Sequence, residues 1–311
     1  MTSDAFPSMP VVDAHMHLWD LSLEKHPWLC GETIQFRYGE YSKIRRTYLL
    51  DDYLADARSF EVAAMVYVET EWDPTDPLGE MKWVHEVAAR WGYPNAVAAQ
   101  VWLDREDVTE VLAGVSAFDL VRSVRHKPAS ASSSAEAKRG ALGSMDDPQW
   151  RDGYARLESH GLNFELQTPW WHLDAALDLA RDFPATTIIL NHTGLPADRS
   201  AEGLTAWRKA MAAFAGAANV AVKISGLGLK GMRWDRAGNA ALVMDTLSIF
   251  GTERCQFGSN FPVDSIVGEY ADIFNGFAAI TADLPFETRR ALFHDNAARL
   301  YRIRLKEAVT T

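Results

Sequence analysis

Eight short runs of β-branched and small apolar residues recur along this chain, each followed by a stretch with helical period, and no other feature constrains the fold as much. The runs are "PVVDAHMHL" (10–18), "VAAMVYVET" (62–70), "NAVAAQVWLD" (95–104), "LVRSVRHKP" (120–128), "NFELQTP" (163–169), "TTIILNHTG" (186–194), "VAVKISGLG" (220–228) and "RCQFGSNFP" (254–262). Strands that alternate with helices pair in parallel and need both faces covered. Eight such units predict one closed α/β barrel of the TIM type, (β/α)8, spanning residues 1–311 as a single domain. A long insertion from Trp19 to about Leu50 follows the first strand, and "FETRRALFHDNAARLYR" (286–302) supplies an extra C-terminal helix. Local signals agree at several points: Pro148 suits a first helical turn, and Gly92 and Gly161 suit helix C-caps. The Ser/Ala-rich stretch 128–144 is expected as a loop at the barrel mouth, either a lid or a plain disordered segment.

Composition narrows the function classes. With 48% hydrophobic residues the chain can bury a large core, and its net charge of −11 lacks the basic footprint that nucleic acid or an anionic membrane surface requires. Cys30 and Cys255 are the two cysteines, without motif spacing, so both read as structural and fit a reducing compartment. The N-terminal residues show neither a basic n-region nor an apolar h-region, and no apolar run is long enough to span a bilayer. The expectation is a cytoplasmic protein that acts on a small molecule, with no nucleic-acid or membrane partner and with homo-oligomerisation open.

In a TIM-type barrel the reactive groups gather at the C-terminal ends of the strands. His15 and His17 close the first run and Glu69 the second, while Arg125 and His126 close the fourth and Gln167 the fifth. Asn191 and His192 close the sixth, Lys223 and Ser225 lie on the seventh, and Asn260 and Asp264 end the eighth. Four of the nine histidines thus fall at strand ends. His15 and His17, two apart on a strand, leave the same face and can address one ion or one substrate oxygen. The competing reading is a pair of structural histidines bonded to backbone. His26, His85, His160 and His294 carry no comparable pattern and are read as structural or surface groups, while His172, following Trp170 and Trp171 at the mouth, is open to a binding role.

The segments "VVDAHMHLWD", "HPWL", "VRH", "NHTGLP", "KISGLG" and "FGSNFPVD", in this order, resemble the amidohydrolase superfamily. Within it they are most similar to amidohydrolase family 2, the branch of fuconolactonase-like and 2-pyrone-4,6-dicarboxylate lactonase-like hydrolases. The likeness runs from about Val11 to Tyr301 and implies a distorted barrel that opens lactones with water. It implies that His15, His17 and His192 are the metal-or-carbonyl histidines and that Arg125 and His126 form the branch's Arg-His pair. Asn260 then stands where most members carry a catalytic Asp.

Asn cannot act as a base and is a poorer metal ligand than a carboxylate. The fourth strand closes on Arg125 and His126 and not on a Lys or Glu placed to bridge two metals, which argues against a binuclear centre. The expectation is a hydrolase of a small, carboxylated lactone in which His15, His17 and His192 polarise the carbonyl, either around one divalent ion such as zinc or without a metal. Asp264 or His126 handles the proton, and Arg125, Lys223, Gln167 and Trp19 are the candidate substrate-binding residues. "SKIRR" (42–46) adds a basic stretch that is either part of a funnel or a solvated face, and Trp28, Trp170 and Trp171 are further loop aromatics for stacking or cover. A non-oxidative decarboxylase, a lactone isomerase and a ligand-binding barrel without chemistry remain as alternatives.

Overall fold

The computed structural model of the protein describes residues 9–305. Eight parallel strands pair in chain order: β1 Val11–Met16, β2 Val62–Val68, β3 Ala96–Gln100, β4 Val121–Arg125, β5 Asn163–Leu166, β6 Ile188–Leu190, β7 Val220–Ile224 and β8 Cys255–Phe257. Helices cover the outside of this sheet, as the alternation of the sequence predicts. Among the described residues no helix is long and apolar enough to cross a membrane.

Several elements are shorter than their sequence patterns. The stretch 147–161 forms a helix only over Pro148–Ala155, where the Asp147 side chain caps the Gln149 N–H, and then tightens into a 3-10 turn that Gly161 ends at φ 62°. β6 and β8 keep three residues each. Beyond them the chain leaves the ladder through left-handed backbone at His192 (φ 54°), Thr193 (φ 50°) and Asn260 (φ 55°). Such conformations are uncommon for residues with a Cβ and cluster where a side chain must be aimed.

The barrel closes by an irregular seam. β8 stops at Phe257, and the next residues run beside β1 instead: Asn260 N–H donates to His15 C=O (2.7 Å) and His17 N–H donates to Phe261 C=O (2.7 Å). Asp13, wholly buried in β1, stitches the two edges, its Oδ1 accepting from Ser259 N–H (2.8 Å) and from His15 N–H (3.2 Å). Its Oδ2 accepts from the Tyr53 hydroxyl (2.7 Å). Burial raises the Asp13 pKa, and the bonds from Ser259 and Tyr53 pull the other way.

Small residues line much of the barrel interior: Val12, Ala14, Ala64, Val66, Ala96 and Ala221 pack there with Ile189, Ala297 and Tyr301. The space they leave holds a buried ion pair, Lys223 Nζ to Glu165 Oε2 at 3.0 Å. Asn191 Nδ2 (2.6 Å) and the Tyr301 hydroxyl also donate to the Glu165 carboxylate. Burial lowers the Lys223 pKa to about 8 against the opposing pull of Glu165.

At the seam only glycine fits position 258, since a Cβ there would lie 2.7 Å from His15 Cβ and 2.9 Å from its backbone N. Gly258→Ala should therefore destabilise the fold by about 1–3 kcal/mol, the usual cost of overpacking. The check is the urea unfolding midpoint, which should fall with no change in m-value.

Candidate active site

The strand ends surround a cavity of about 230 Å³, lined among others by His17, His192, Asn260, Arg37, Arg125 and Gln167. His15, from the end of β1, packs behind its neighbours, with ring centroids 5.0 Å from His17 and 4.6 Å from His192. The structure thus brings the three histidines of the first and sixth runs into one cluster. All three are neutral at rest. Burial pushes the pKa values of His15 and His192 well below the ordinary histidine range and that of His17 to about 3, with nearby cations adding to the shift.

Their hydrogen bonds fix what each can offer. His192 Nδ1 meets the Ser225 hydroxyl at 2.9 Å, so a Ser225 O–H donated to Nδ1 leaves the Nε2 proton free to donate. Gly226 makes room for this ring, because a Cβ there would stand 2.5 Å from His192 Nδ1. His17 lies between two acceptors, Val68 C=O at 2.8 Å from Nδ1 and Asn260 Oδ1 at 3.3 Å from Nε2. A neutral ring carries one proton and can satisfy one of them. The amide cannot be turned round, because Asn260 Nδ2 donates to Asp264 Oδ1 at 2.6 Å. Both ring nitrogens of His15 are buried with no hydrogen-bond partner.

Asp264 is wholly buried behind the cavity wall and is joined to the histidine cluster through Asn260. Its Oδ1 also accepts from the Tyr38 hydroxyl (2.8 Å), while its Oδ2 is buried without a partner. Burial raises its pKa to about 6, and Arg37 opposes that rise. His126 is held elsewhere: its Nδ1 accepts from Leu103 N–H (3.0 Å) and its ring stacks between Trp102 and Trp150.

The cations divide in the same way. Arg125 is 3% exposed and pairs with the Glu69 carboxylate, while donating to Glu69 C=O (2.7 Å) and Gln167 Oε1 (3.1 Å). Lys223 is committed to Glu165 inside the barrel. The stretch 42–46 braces the insertion instead of facing the cavity: Arg45 Nε donates to Leu29 C=O (2.9 Å), Arg46 pairs with Asp52 (3.1 Å), and Lys43 donates to Ser265 C=O. The cations that join Arg125 in the wall are Arg37 and Lys127. Arg37 donates to the Tyr38 hydroxyl at 2.9 Å and to Gly226 C=O.

Sequence reading singled out 42–46 in the insertion and passed over Arg37. The signal was its setting, "FRYGEY", an arginine among aromatics that pack into a lining instead of standing in water. Glu69 was visible at its strand end, but its pairing with Arg125 across 56 positions was not. Trp19 and Trp28 do line the cavity. They are anchored by Nε1 bonds to Arg46 C=O (2.7 Å) and Thr70 C=O (2.8 Å). Trp171 and His172 instead hold the 128–144 stretch, through Ala131 C=O (3.2 Å) and Ala131 N–H (2.9 Å).

A divalent ion would need at least three donors converging on one point. Among the described residues no group of three His, Cys, Asp or Glu is arranged to hold one. The Asn260 amide beside His17 adds no charge. As they stand, these side chains do not fit a metal ion.

A search among known proteins agrees with this architecture. The family model described as amidohydrolase matches residues 12–303. The uncharacterized protein y4mH of Sinorhizobium fredii is 38% identical over 293 residues, covering 94% of this chain and 98% of that protein. An L-fucono-1,5-lactonase of Burkholderia ambifaria is 26% identical over 303 residues, covering 94% and 95%. Among solved structures, an amidohydrolase from Burkholderia multivorans with bound zinc superposes with a TM-score of 0.77 at 22% identity, covering 95% of this chain and 100% of its own. The chain belongs to the amidohydrolase family and is an enzyme of that superfamily, similar at low identity to lactonases.

Proposed function

We propose that this enzyme opens a small, carboxylated lactone by attack of water at the ring carbonyl. The observation that carries the reading is the set of neutral, buried histidines at the base of a cavity whose wall is lined by Arg37, Arg125 and Lys127. A carbonyl oxygen placed against His192 Nε2–H gains a donor that is strengthened by exclusion of water as charge develops. Arg37 holds the substrate carboxylate, and Arg125 and Lys127, already paired with Glu69 and Glu71, shape the wall, Arg125 also orienting Gln167.

Asp264 takes the proton from water. Its pKa of about 6 suits a base that works near neutrality. Water oxygen bonds to the carbonyl carbon, the ring C–O bond breaks, and the departing alkoxide takes the proton that Asp264 drew from the water, leaving a hydroxy acid. His17 stays neutral and lines the cavity beside the intermediate. No step passes through a metal ion, because the donor set does not fit one. The zinc of the Burkholderia multivorans relative makes a chelator the first control.

Proton release in weak buffer, against a panel of sugar and dicarboxylate lactones, tests the reading. Ring opening should persist after treatment with chelator. Activity lost to chelator and restored by zinc would replace the metal-free mechanism, and release of carbon dioxide from an aromatic acid without ring opening would replace the reaction.

Because burial raises the Asp264 pKa, the carboxyl is protonated, and useless as a base, below about pH 6. The rate should therefore rise with pH through that value and level off above it. Asp264→Asn should lower kcat by roughly 100-fold or more and abolish this limb, while Asn260→Ala costs less. Equal turnover in the Asp264 variant would remove it as the base.

Arg37→Met should have two separable effects. KM for acidic lactones should rise about tenfold or more, with little change for neutral ones, from the loss of a charge-assisted contact. The acid limb should also move to higher pH, because Arg37 holds the Asp264 pKa down. Steady-state kinetics over pH 5–8 on matched acidic and neutral lactones reads both.

A further inference from the structure

The 230 Å³ cavity is not closed at its outer side. It shares Trp28, Ile34, Glu69, Glu71, Arg125 and Lys127 with a second cavity of about 790 Å³. The inner space falls below the roughly 300–1,000 Å³ of sites that enclose drug-sized ligands, and the outer one falls within that range. A bare lactone ring would use only the inner space.

The outer chamber is built for a flat, uncharged group. Trp28, Trp72 and Trp102 line it, and Trp102 is 42% exposed. Its position is fixed from behind: the Trp102 ring lies 6.3 Å from His126 at 9°, and His126 lies 6.1 Å from Trp150 at 27°. Trp150 is wholly buried, and His126 is kept neutral by burial, so the three rings form a platform rooted in the core. At the shared neck Arg125 pairs with Glu69 and Lys127 with Glu71; of the remaining charges Glu32 and Asp104 line only the outer chamber and disfavour an anionic group there, whereas Arg37 lines only the inner one.

We infer that the natural substrate is a two-part molecule, a carboxylated lactone in the inner cavity carrying a neutral aryl substituent that stacks on Trp102 in the outer one. This rests on the lactonase reading and specifies its substrate class. It also gives His126 a task apart from proton transfer, as the spacer that positions Trp102.

The test compares acidic δ-lactones that differ only in an aryl substituent on the ring, by proton release, and the matching lactams, which resist opening, by calorimetric binding. The aryl lactone should show at least tenfold higher kcat/KM than its parent, and the aryl lactam at least tenfold tighter binding. Trp102→Ala should collapse both ratios below threefold, and Trp102→Phe should retain most of each. Ratios near one in the native enzyme, or ratios unchanged by Trp102→Ala, would overturn the inference. If no lactone is opened but the aryl lactam binds tightly and through Trp102, the two-part ligand stands and the hydrolytic reading falls.

Discussion

The site depends on how the barrel closes. Seven of its joints are parallel ladders, those of β1 with β2 and β3 with β4 carrying register shifts, but β8 is three residues long and cannot zip regularly to β1. The closing contacts are made by Ser259, Asn260 and Phe261, and their register is held by the Asp13 carboxylate. The same few residues border the proposed site: the backbone of Asn260 is bonded to His15 and its side chain faces His17. Closure and the proposed site therefore share one set of hydrogen bonds, and Gly258 lets the two chain segments come close enough to make them.

The same seam gives a physical reason for an asparagine where a carboxylate would be the familiar tool. An Asp at 260, facing His17 Nε2, would favour an imidazolium and so spend the proton before substrate arrives. The amide leaves His17 neutral and passes the carboxylate one place outward, to Asp264, bonded to Asn260 at 2.6 Å. There burial brings the acid close to neutrality instead of holding it far below. Acid–base capacity is thus kept, but on a group separated from the histidines by one neutral side chain.

Much of this was legible in the sequence. The eight-unit barrel, the insertion after β1 and the convergence of His15, His17 and His192 follow from alternation and from the rule that strand ends meet at one face. What was not legible was pairing across the barrel. Arg125 and Lys223 look alike as cations at strand ends, yet one lines the cavity beside Glu69 and the other is spent on Glu165 inside. Which partner a charge finds depends on strand stagger, which local patterns do not encode. Arg37 escaped because an insertion has no period from which to infer direction. The early ends of β6 and β8 escaped because the small and polar residues that follow Leu190 and Phe257 read equally well as the polar end of a strand or as the left-handed backbone that His192 and Asn260 adopt. The same limit hid Trp102, whose place above His126 is set by two loops that meet only in the fold.

Glu165 receives the Tyr301 hydroxyl from 136 positions further along the chain. Until that residue is made, the carboxylate has Lys223, Asn191 and Ser123 but lacks one donor and the ring that covers Lys223, 5.1 Å away. A nascent barrel emerging from the ribosome therefore carries an incompletely shielded charge pair at its centre, accessible to water through the uncovered end. Long-range contacts of this kind are formed late and delay commitment to the native state. The Tyr301 ring, just past the helix Asn296–Leu300, acts as the stopper that dries the interior, so docking of that helix is the step that makes the barrel electrically quiet.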